Sequence, residues 1–588
     1  MILMAAPNPG KRYAPTNGSR TVLRARLTPA HTSSPPPRAC CARVLALLLA
    51  LGLAACGQDT PAFEHRPAPH KLLLVGWDGA TFRMLDPLVA AGRMPNTAKL
   101  LARGVHARLE STVVPISSSA WISAVTGKTP GKTGVYDFFD RLPDSYAVAI
   151  ISARTNQATP LWRTLARNGR KSLVFGVPIT YPPEPIPGVM VAGMLAPPDS
   201  LYTWPPALAA ELRARGFVPD VGTWSVEQRF TPALVAEQLE LKRRVLLERL
   251  ARRDEWDLAM IVFKCLDVLS HRSYDNSLDG PVAELYVSLD GVLGELVAAA
   301  GPDANVMLVS DHGFQAYQKS FHLQPWLFAA GFATPNPAAP TAPLRSGPLS
   351  AVRVDQHERQ IAAVDLAKTR ALAVNCEGNF GGIRLNVAGR EPQGIVAPGD
   401  VEAVLAELSA ALLAARAEGL DGPLVTRTWK AAELYPGPFA GKLPDLLFET
   451  HPDVVCRTDR STSWFVDFTA GTRVISDHDR GGIFVGAGPA FATRPERADA
   501  RIFDVGPTAL HLLGVPVYDD VDGEVLTRFL ADGPAPRFLA EQDEPGRAAW
   551  PRPPEHVGTD QERSHQLELL EALGYAGGGE DEPEAKAE

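Results

Sequence analysis

Three strongly apolar runs of the sequence are each followed by an aspartate. LLLVGW precedes Asp78, AMIVFKCL precedes Asp267, and VMLVS comes just before Asp311. Short apolar runs of this kind are typical of buried parallel strands. In an open α/β sheet, the ligand crevice lies beyond the carboxyl ends of the strands. The pattern therefore predicts a sheet whose strand ends bring three carboxylates into one crevice.

Histidines accompany these carboxylates at spacings that suit metal ligation. Asp267 and His271 are one helical turn apart, so both can face one ion if a helix begins there. His312 directly follows Asp311, and His478 precedes another strand candidate. The predicted ligand set, with a serine included, is Asp78, Ser117, Asp267, His271, Asp311, His312 and His478. Mixed carboxylate and imidazole ligands predict two divalent metal ions, with Zn²⁺ the best match and Mn²⁺ or iron the alternatives.

A serine cluster, Ser117 to Ser119, is the source of the candidate nucleophile. In VVPISSSAWISAVTGKTP, an extended piece ends at Pro115 and helix-forming residues follow the serines. Ser117 would lie ahead of the helix N-terminus or at it, where free N–H groups and the macrodipole favour an alkoxide or a bound phosphate oxygen. Serines at this place are also typical of an ordinary N-cap. The interpretation as a nucleophile therefore depends on the metal ligands elsewhere in the chain.

The order of apolar and amphipathic segments indicates the fold class. From Lys71 onward, strand-like runs alternate with helical patterns, which predicts an α/β domain with parallel strands covered by helices. We expect this catalytic domain over residues 71–530, with a cap insertion at about 326–440 that contains the loop-like stretch NPAAPTAPLRSGPLS. Residues 531–588 form a tail rich in proline and charge, and the composition of its end predicts disorder.

The first 56 residues have the features of an export signal. No acidic residue precedes Asp59, and the apolar run VLALLLALGLAA ends at Cys56. This run is too short to span a bilayer comfortably. The sequence from Leu53 to Cys56 resembles the lipobox of bacterial lipoproteins, which implies lipidation of Cys56 and a tether over residues 57–70. We therefore expect an exported lipoprotein, periplasmic or anchored in the outer membrane; an ordinary signal or a stray apolar stretch is the alternative.

Charge and cysteine content restrict the remaining function classes. The net charge of −8 argues against a nucleic-acid-binding surface, because phosphate backbones select clustered Lys and Arg. Once the signal is removed and Cys56 is lipidated, Cys265, Cys376 and Cys456 remain. They allow at most one disulfide, and its pairing is not readable from the sequence. The oligomeric state is equally open.

The individual motifs lie within longer segments that stand in a recognisable order. These segments include LLLVGWDGAT, PISSSAWISAVTGKTPGKTGVYDF, DVLSH, VSDHGF and HDRGGIFVGAGP. Together they resemble the type I phosphodiesterase and nucleotide pyrophosphatase family of the alkaline phosphatase superfamily, from Lys71 to about Leu526. The resemblance implies an alkaline-phosphatase-like three-layer sandwich, with a mostly parallel central sheet flanked by helices. It also implies two zinc ions beside a Thr or Ser nucleophile.

The resemblance assigns roles to the candidate residues. It places the nucleophile on Ser117. The ion that activates this serine would be held by Asp78, Asp311 and His312, and the ion that faces the attacking water by Asp267, His271 and His478. Relatives that act on nucleotides carry an Asn that donates to a phosphate oxygen. The corresponding residue here is Phe138, so the resemblance carries over no nucleotide preference.

The expected function is metal-dependent hydrolysis of phosphate esters, phosphodiesters foremost, through a phosphoserine-type intermediate at Ser117. The alternatives are a phosphomonoesterase or phosphoryl-group transferase of the same superfamily, and a catalytically silent lipoprotein that binds phosphorylated polymers. The alcohol could belong to a lipid, a sugar or a nucleotide. Lys264, close to Asp267, could contact the substrate. A structural lysine whose ammonium group reaches solvent is the commoner role for such a residue.

Overall fold

The computed structural model describes residues 63–142, 144–219, 232–339, 360–458, 461, 463–469 and 474–543. The predicted signal segment with Cys56, residues 57–62 of the tether, residues 340–350 of the loop-like stretch and the tail from residue 544 lie outside these ranges. Within the ranges, no helix combines the length and the apolar character needed to cross a membrane.

The strands belong to one large sheet and several small ones. In chain order they are β1 Leu72–Trp77, β2 Val105–Glu110, β3 Phe139–Arg141, β4 Val148–Ile150, β5 Ser172–Phe175, β6 Gly188–Val191, β7 Thr203–Trp204, β8 Leu258–Phe263, β9 Asn305–Val309, β10 Gly313–Tyr317, β11 Lys319–His322, β12 Ala371–Glu377, β13 Phe380–Leu385, β14 Val425–Lys430, β15 Leu446–Thr450, β16 Val454–Arg457, β17 Phe465–Asp467, β18 Ile475–Asp479, β19 Gly481–Ala487, β20 Ala498–Arg501, β21 Val517–Tyr518 and β22 Phe538–Leu539.

Nine strands form the central sheet in the order β20-β2-β19-β9-β1-β8-β5-β6-β7. β1 lies in the middle and is parallel to both neighbours, with Leu72 opposite Leu258 of β8 and Asn305 of β9. β5 and β6 continue the parallel arrangement. β19 runs antiparallel between β9 and β2. The prediction of a mostly parallel α/β sheet is therefore confirmed.

The helices fill the connections between these strands. They are α1 Phe82–Ala90, α2 Pro95–Arg103, α3 Ser117–Thr126, α4 Pro130–Thr133, α5 Leu161–Arg167, α6 Ala207–Ala214, α7 Pro232–Leu250, α8 Cys265–Ser273, α9 Pro281–Ala300, α10 Leu323–Ala329, α11 Val401–Ala414, α12 Ala431–Leu434 and α13 Val505–Leu512.

Both faces of the central sheet are covered. Leu72 and Leu74 of β1 belong to one hydrophobic cluster, to which α3, α5 and α13 contribute. Leu73, Val75 and Trp77 belong to a second cluster, to which α1, α2, α7 and α9 contribute. Because every residue of β1 is buried, this strand is an unbroken apolar run rather than an alternating one. The three-layer arrangement implied by the family resemblance is confirmed.

A third hydrophobic cluster is formed by residues of the segment from β11 to β17. It contains side chains of the four-stranded sheet β12-β13-β15-β14 and of α11, including Leu405, Leu408 and Leu412. The cap insertion was expected at about 326–440. The sheet needs more of the chain than that, because β15, at Leu446–Thr450, pairs between β13 and β14.

Candidate active site

Three neighbouring strands of the central sheet end at the same edge. Asp78 directly follows β1, Lys264 directly follows β8, and Asp311 comes two residues after β9. β1 is hydrogen-bonded to β8 on one side and to β9 on the other, and all three are parallel. The topology therefore places the residues that follow these strands side by side, in the crevice where α/β proteins bind ligands.

Helix α8 begins directly after Lys264 and carries the next two ligand candidates. Asp267 and His271 lie one turn apart on this helix, with His271 Nε2 3.6 Å from Asp267 Oδ1. Both face His478, whose Nε2 lies 3.1 Å from Asp267 Oδ1 and 3.0 Å from His271 Nε2. The helical turn predicted from the spacing is present, and it brings these three side chains together.

His478 reaches the site through a small sheet. It lies on β18, which pairs antiparallel with β10, and β10 begins directly after His312. The rings of His312 and His478 stack with their centroids 3.6 Å apart. Two further contacts fix His478: its Nδ1 is 2.7 Å from the carbonyl oxygen of Pro115, and its own carbonyl accepts a hydrogen bond of 2.7 Å from the Tyr317 hydroxyl.

Ser117 is the first residue of helix α3. The N-cap is Ile116, and no side chain caps the helix, so the interpretation of the serines as an ordinary N-cap is wrong. The Ser117 hydroxyl donates to Asp78 Oδ1 at 3.2 Å and lies 3.0 Å from His312 Nε2. The side chain is fully buried. Its oxygen is therefore held between a carboxylate and an imidazole.

The other two serines of the cluster have different surroundings. Ser119 donates to the carbonyl oxygen of Ile116 at 3.1 Å and lies 3.1 Å from the Thr112 hydroxyl, which are structural contacts. The Ser118 hydroxyl is buried, and no group in the described part of the chain is its hydrogen-bond partner. Of the three, Ser117 is the serine that the fold places among the ligand candidates.

Trp121 orients the first carboxylate. Its indole Nε1 donates to Asp78 Oδ2 at 2.7 Å, which leaves Oδ1 to face Ser117. The indole ring lies directly over Gly76 of β1, where an added Cβ would come within 2.4 Å of the ring. Glycine is therefore needed at this position, because any side chain would push the ring away from the strand and from Asp78.

Lys264 is a site residue for which the sequence favoured a structural role over contact with the substrate. Its ammonium nitrogen donates to Asp267 Oδ2 at 2.6 Å, to Asp78 Oδ1 at 3.1 Å and to Ser117 Oγ at 3.1 Å. The side chain is buried, so the expectation of a structural lysine reaching solvent is wrong. Its position directly after a fully buried strand was the feature that could have revealed it.

Burial has a strong effect on the acids of the site. It raises the pKa of Asp78 to about 8, with the Asp311 carboxylate adding to the shift and Lys264 opposing it. Burial also raises the pKa of Asp311 to about 7. For Asp267, burial acts in the same direction, but Lys264 and His271 outweigh it and hold the pKa well below its usual range. One ammonium group thus does not balance three buried carboxyl groups, and further positive charge would be stabilised here.

The tautomers of two histidines add to this imbalance. A carbonyl oxygen only accepts, so His478 Nδ1 donates to Pro115 and His312 Nδ1 donates to Gly313 at 3.1 Å. Burial lowers the pKa of both rings, to about 3 for His478. Each ring is therefore neutral, and its Nε2 carries a lone pair. The lone pair of His478 faces a carboxylate oxygen of Asp267, a contact that a cation between the two atoms would make favourable.

The ligand atoms form two compact groups. Asp267, His271 and His478 make one, and Asp78, Asp267 and His312 make the other, with the atoms of each group within 4.8 Å of one another. Asp311 borders the second group, because its Oδ2 is 3.2 Å from His312 Nε2. This buried oxygen has no hydrogen-bond partner among the described residues. The donor set fits two divalent ions, with Asp267 lying between them.

A third group of acids and histidine does not suit a metal ion. Glu377, Asp477 and His478 also have ligand atoms within 4.8 Å of one another. The nitrogen of His478 nearest to Glu377 is Nδ1, at 3.6 Å. That nitrogen carries the hydrogen donated to the carbonyl oxygen of Pro115 and so has no lone pair to offer.

Fold and site together define a hydrolase class in which the edge of an α/β sheet holds a hydroxyl group beside buried Asp and His ligands. The sequence profile of the type I phosphodiesterase / nucleotide pyrophosphatase family matches residues 72–479. The chain belongs to this family, which hydrolyses phosphoester bonds, as the resemblance of its motifs indicated. A comparison with curated proteins finds no match.

Several solved structures are similar in fold. Phosphonoacetate hydrolase from Sinorhizobium meliloti 1021, in complex with phosphonoacetate, is 16% identical with a TM-score of 0.51, over 78% of this chain and 98% of that chain. Murine ectonucleotide pyrophosphatase / phosphodiesterase 5, as an inactive variant in complex with AMP, is 15% identical with a TM-score of 0.48, over 79% and 100%. The human protein of that name is 15% identical with a TM-score of 0.47, over 79% and 100%. The first of these likenesses supports the alkaline-phosphatase-like fold.

The ligand groups predict how metal content responds to substitution. His271→Ala should reduce the bound transition metal from about two ions per chain to about one, because it removes an imidazole from one group only. The measurement is metal analysis of the purified protein after dialysis. His451→Ala is the control, since His451 lies outside both groups and beside Asp453. An unchanged metal content in His271→Ala would remove this histidine from the ligand set.

Proposed function

We propose that the protein hydrolyses phosphodiesters in two steps, through a phosphoserine at Ser117, at a centre of two divalent ions. Zn²⁺ is the ion that best matches the mixture of carboxylates and imidazoles. One observation carries the proposal. The Ser117 oxygen lies 3.2 Å from Asp78 Oδ1, 3.0 Å from His312 Nε2 and 3.1 Å from Lys264 Nζ. These neighbours can make the buried hydroxyl a much better nucleophile than that of an ordinary serine.

The ligand groups divide the work of metal binding. Asp78, Asp311 and His312, together with Ser117, would hold one ion, and Asp267, His271 and His478 the other. Bound there, the two ions would lower the pKa of the serine hydroxyl and of an attacking water, and would polarise the phosphoryl oxygens. The compact group of Asp267, His271 and His478 supports the second set. The first set is supported by the closeness of Asp78 to His312 and by the 3.2 Å between Asp311 Oδ2 and His312 Nε2.

The side chains of the protein set the order of events. The Ser117 hydroxyl gives up its proton toward Asp78 Oδ1, which already accepts its hydrogen bond, and Oγ forms a bond to phosphorus. The phosphorus–oxygen bond to the first alcohol breaks, and the alcohol leaves with its electron pair and takes a proton from water. Water then attacks phosphorus and gives a proton to the hydroxide that the first alcohol left behind. The bond to Ser117 Oγ breaks, Oγ takes back the proton from Asp78, and a phosphomonoester is released.

The start of helix α3 supports the binding of the phosphoryl group. The first N–H groups of a helix have no acceptor within it, and the aligned peptide dipoles make this end positive. Ser117 is the first residue of this ten-residue helix. A phosphoryl group attached to its oxygen would therefore lie at the end of a helix that favours anions.

Lys264 supplies a fixed positive charge beside the nucleophile. Its ammonium donates to Ser117 Oγ, and the carboxylates of Asp78 and Asp267 hold it in place. Burial lowers its pKa, but the two carboxylates outweigh that effect and the net shift is upward. We infer that Lys264 stabilises the serine oxygen while it is negatively charged, and the phosphoryl oxygens during transfer.

The nature of the alcohol groups is set by residues beyond the ligands. The position of the family's phosphate-binding Asn is occupied by Phe138, which is fully buried in the core of the central sheet. No polar group at this position can therefore contact a nucleotide phosphate. Diesters of other alcohols, such as lipid or sugar diesters, are consistent with this core residue.

The proposed preference for diesters over other esters is tested by a screen of phosphodiesters, phosphomonoesters and sulfate esters. Cleavage of monoesters alone would contradict this preference.

Ser117→Ala should lower the rate of hydrolysis of bis(nitrophenyl) phosphate by at least about 1,000-fold, because the attacking oxygen is lost. The thermal unfolding temperature should stay nearly unchanged, because the substitution removes a single oxygen atom and leaves the packing of helix α3 in place. Ser118→Ala is the matched control and should retain activity. Substantial activity in Ser117→Ala that matches the control would exclude a phosphoserine intermediate.

Lys264→Met should lower kcat by roughly 100-fold, because it removes the charge that faces the serine oxygen while keeping the length of the side chain. Metal analysis of the same sample separates two roles. A variant that keeps its metal and loses its rate supports a catalytic lysine. A variant with full rate and tighter metal binding would show that the ammonium group has no catalytic role. Lys442→Met, at the exposed Asp140 ion pair, is the control.

We also propose that the chain is exported as a lipoprotein anchored through Cys56. The sequence from Leu53 to Cys56 and the apolar run before it support this location. Cys56→Ser should move the protein from the membrane fraction to the soluble fraction of cells that express the full chain. Cys41→Ser, ahead of the expected cleavage point, is the control and should leave attachment unchanged. Membrane attachment of Cys56→Ser that equals the control would contradict the lipid anchor.

A further inference from the structure

Two thiols from distant parts of the chain lie in contact beside the site. Cys376 is on β12 and Cys456 is on β16, and the Cys456 thiol donates to Cys376 Sγ at 2.8 Å. The two residues are 80 positions apart and belong to different sheets. The remaining cysteine in the described ranges, Cys265, is buried at the start of α8 in the core of the central sheet.

The backbone holds these two strands together without help from the sulfurs. The N–H of Cys456 donates to the carbonyl oxygen of Gly378 at 2.7 Å, so β16 runs directly beside the turn that follows β12. Gly378 has a positive φ of 56°, which glycine adopts without strain. The positions of both cysteines are thus fixed by main-chain contacts.

The two thiols differ in access. Cys456 is buried, and burial together with the hydrogen bond to Cys376 raises its pKa well above the usual value. Cys376 is only half-buried, so it is the sulfur that an external reagent reaches first. An accessible thiol beside a buried partner is the arrangement in which attack from outside is followed by internal resolution.

We propose that Cys376 and Cys456 form a reversible disulfide by exchange with a low-molecular-weight or protein disulfide. Cys376, as thiolate, attacks one sulfur of the oxidant, whose sulfur–sulfur bond breaks and releases a thiolate. Cys456, losing its proton to solvent, then attacks Cys376 Sγ and expels the second thiolate. In total the chain gives up two protons and two electrons, and the oxidant disulfide is reduced to two thiols. The proposal rests on the cysteine geometry and is independent of the proposed function.

The crosslink would brace one wall of the active site. The turn after β12 contacts the backbone of His478, since a Cβ on Gly378 would lie 2.1 Å from the His478 carbonyl oxygen. On the other side, Arg457, next to Cys456, lies 3.8 Å from Asp477, which precedes His478. The disulfide would thus join the two segments that enclose this histidine. Oxidation would stabilise the local structure, because it restricts the unfolded chain across an 80-residue separation.

The direct test uses the full chain, reduced and then incubated with oxidised glutathione at mildly alkaline pH. Free thiols are alkylated, and peptides are mapped by mass spectrometry without reduction. We expect one linked peptide pair that contains Cys376 and Cys456, while Cys265 is alkylated after unfolding. The mapping separates this pair from the cysteines of the signal segment. Alkylation of both Cys376 and Cys456, or glutathione retained on Cys376, would overturn the proposal.

A stability measurement separates the crosslink from other effects of the oxidant. Oxidation should raise the Tm of the wild-type protein by roughly 3 to 5 °C, the shift expected for closing a long loop in a domain of this size. Cys376→Ser and Cys456→Ser should show no such shift, whatever their own starting Tm. Cys265→Ala is the control and should retain the shift. An equal rise of Tm in Cys376→Ser would contradict the disulfide.

Discussion

The burial of like charges at the carboxyl end of β1 is the constraint on which the rest of the structure depends. Asp78, Asp267 and Asp311 are all fully buried, and a buried carboxylate is costly unless it is paired. The acids cannot move apart, because β1, β8 and β9 are hydrogen-bonded neighbours. Lys264 forms ion pairs with Asp78 and Asp267, but one ammonium group does not balance three carboxylates. The remaining negative charge favours the binding of divalent cations in this crevice, and it destabilises the folded protein in their absence.

Much of this arrangement could be predicted from the sequence because it depends on short continuous segments of the chain. β1, β8 and β9 are buried on both faces, so each is an unbroken apolar run that composition alone identifies. The acids lie directly beyond those runs, and the general rule for α/β sheets then places them together. The four-residue spacing of Asp267 and His271 needed only a helix after β8, and helix α8 begins there. The family and the fold followed from the same segments.

The features that escaped prediction depend on which strands are neighbours. Lys264 was expected to reach solvent, but β8 lies between β1 and β5 inside the sheet. A side chain directly after such an interior strand lies in the crevice at the edge of the sheet. The contact of Cys376 with Cys456 joins two sheets and leaves no periodic pattern in the chain. The position of β15 in the four-stranded sheet is a further example, because its pairing partners β13 and β14 come from earlier segments of the chain.

His478 shows how the cap and the metal centre are linked. The other ligand candidates follow strands of the central sheet or lie on helices packed against it, but His478 lies on β18, which pairs with β10 in a separate two-stranded sheet. Its ring is held by Pro115, its carbonyl by Tyr317, and its backbone lies against the turn at Gly378 of the cap sheet. A displacement of the turn at Gly378 would therefore also displace the backbone of His478. In the proposed mechanism, the cap sheet and the ion that His478 would hold are therefore coupled through this residue.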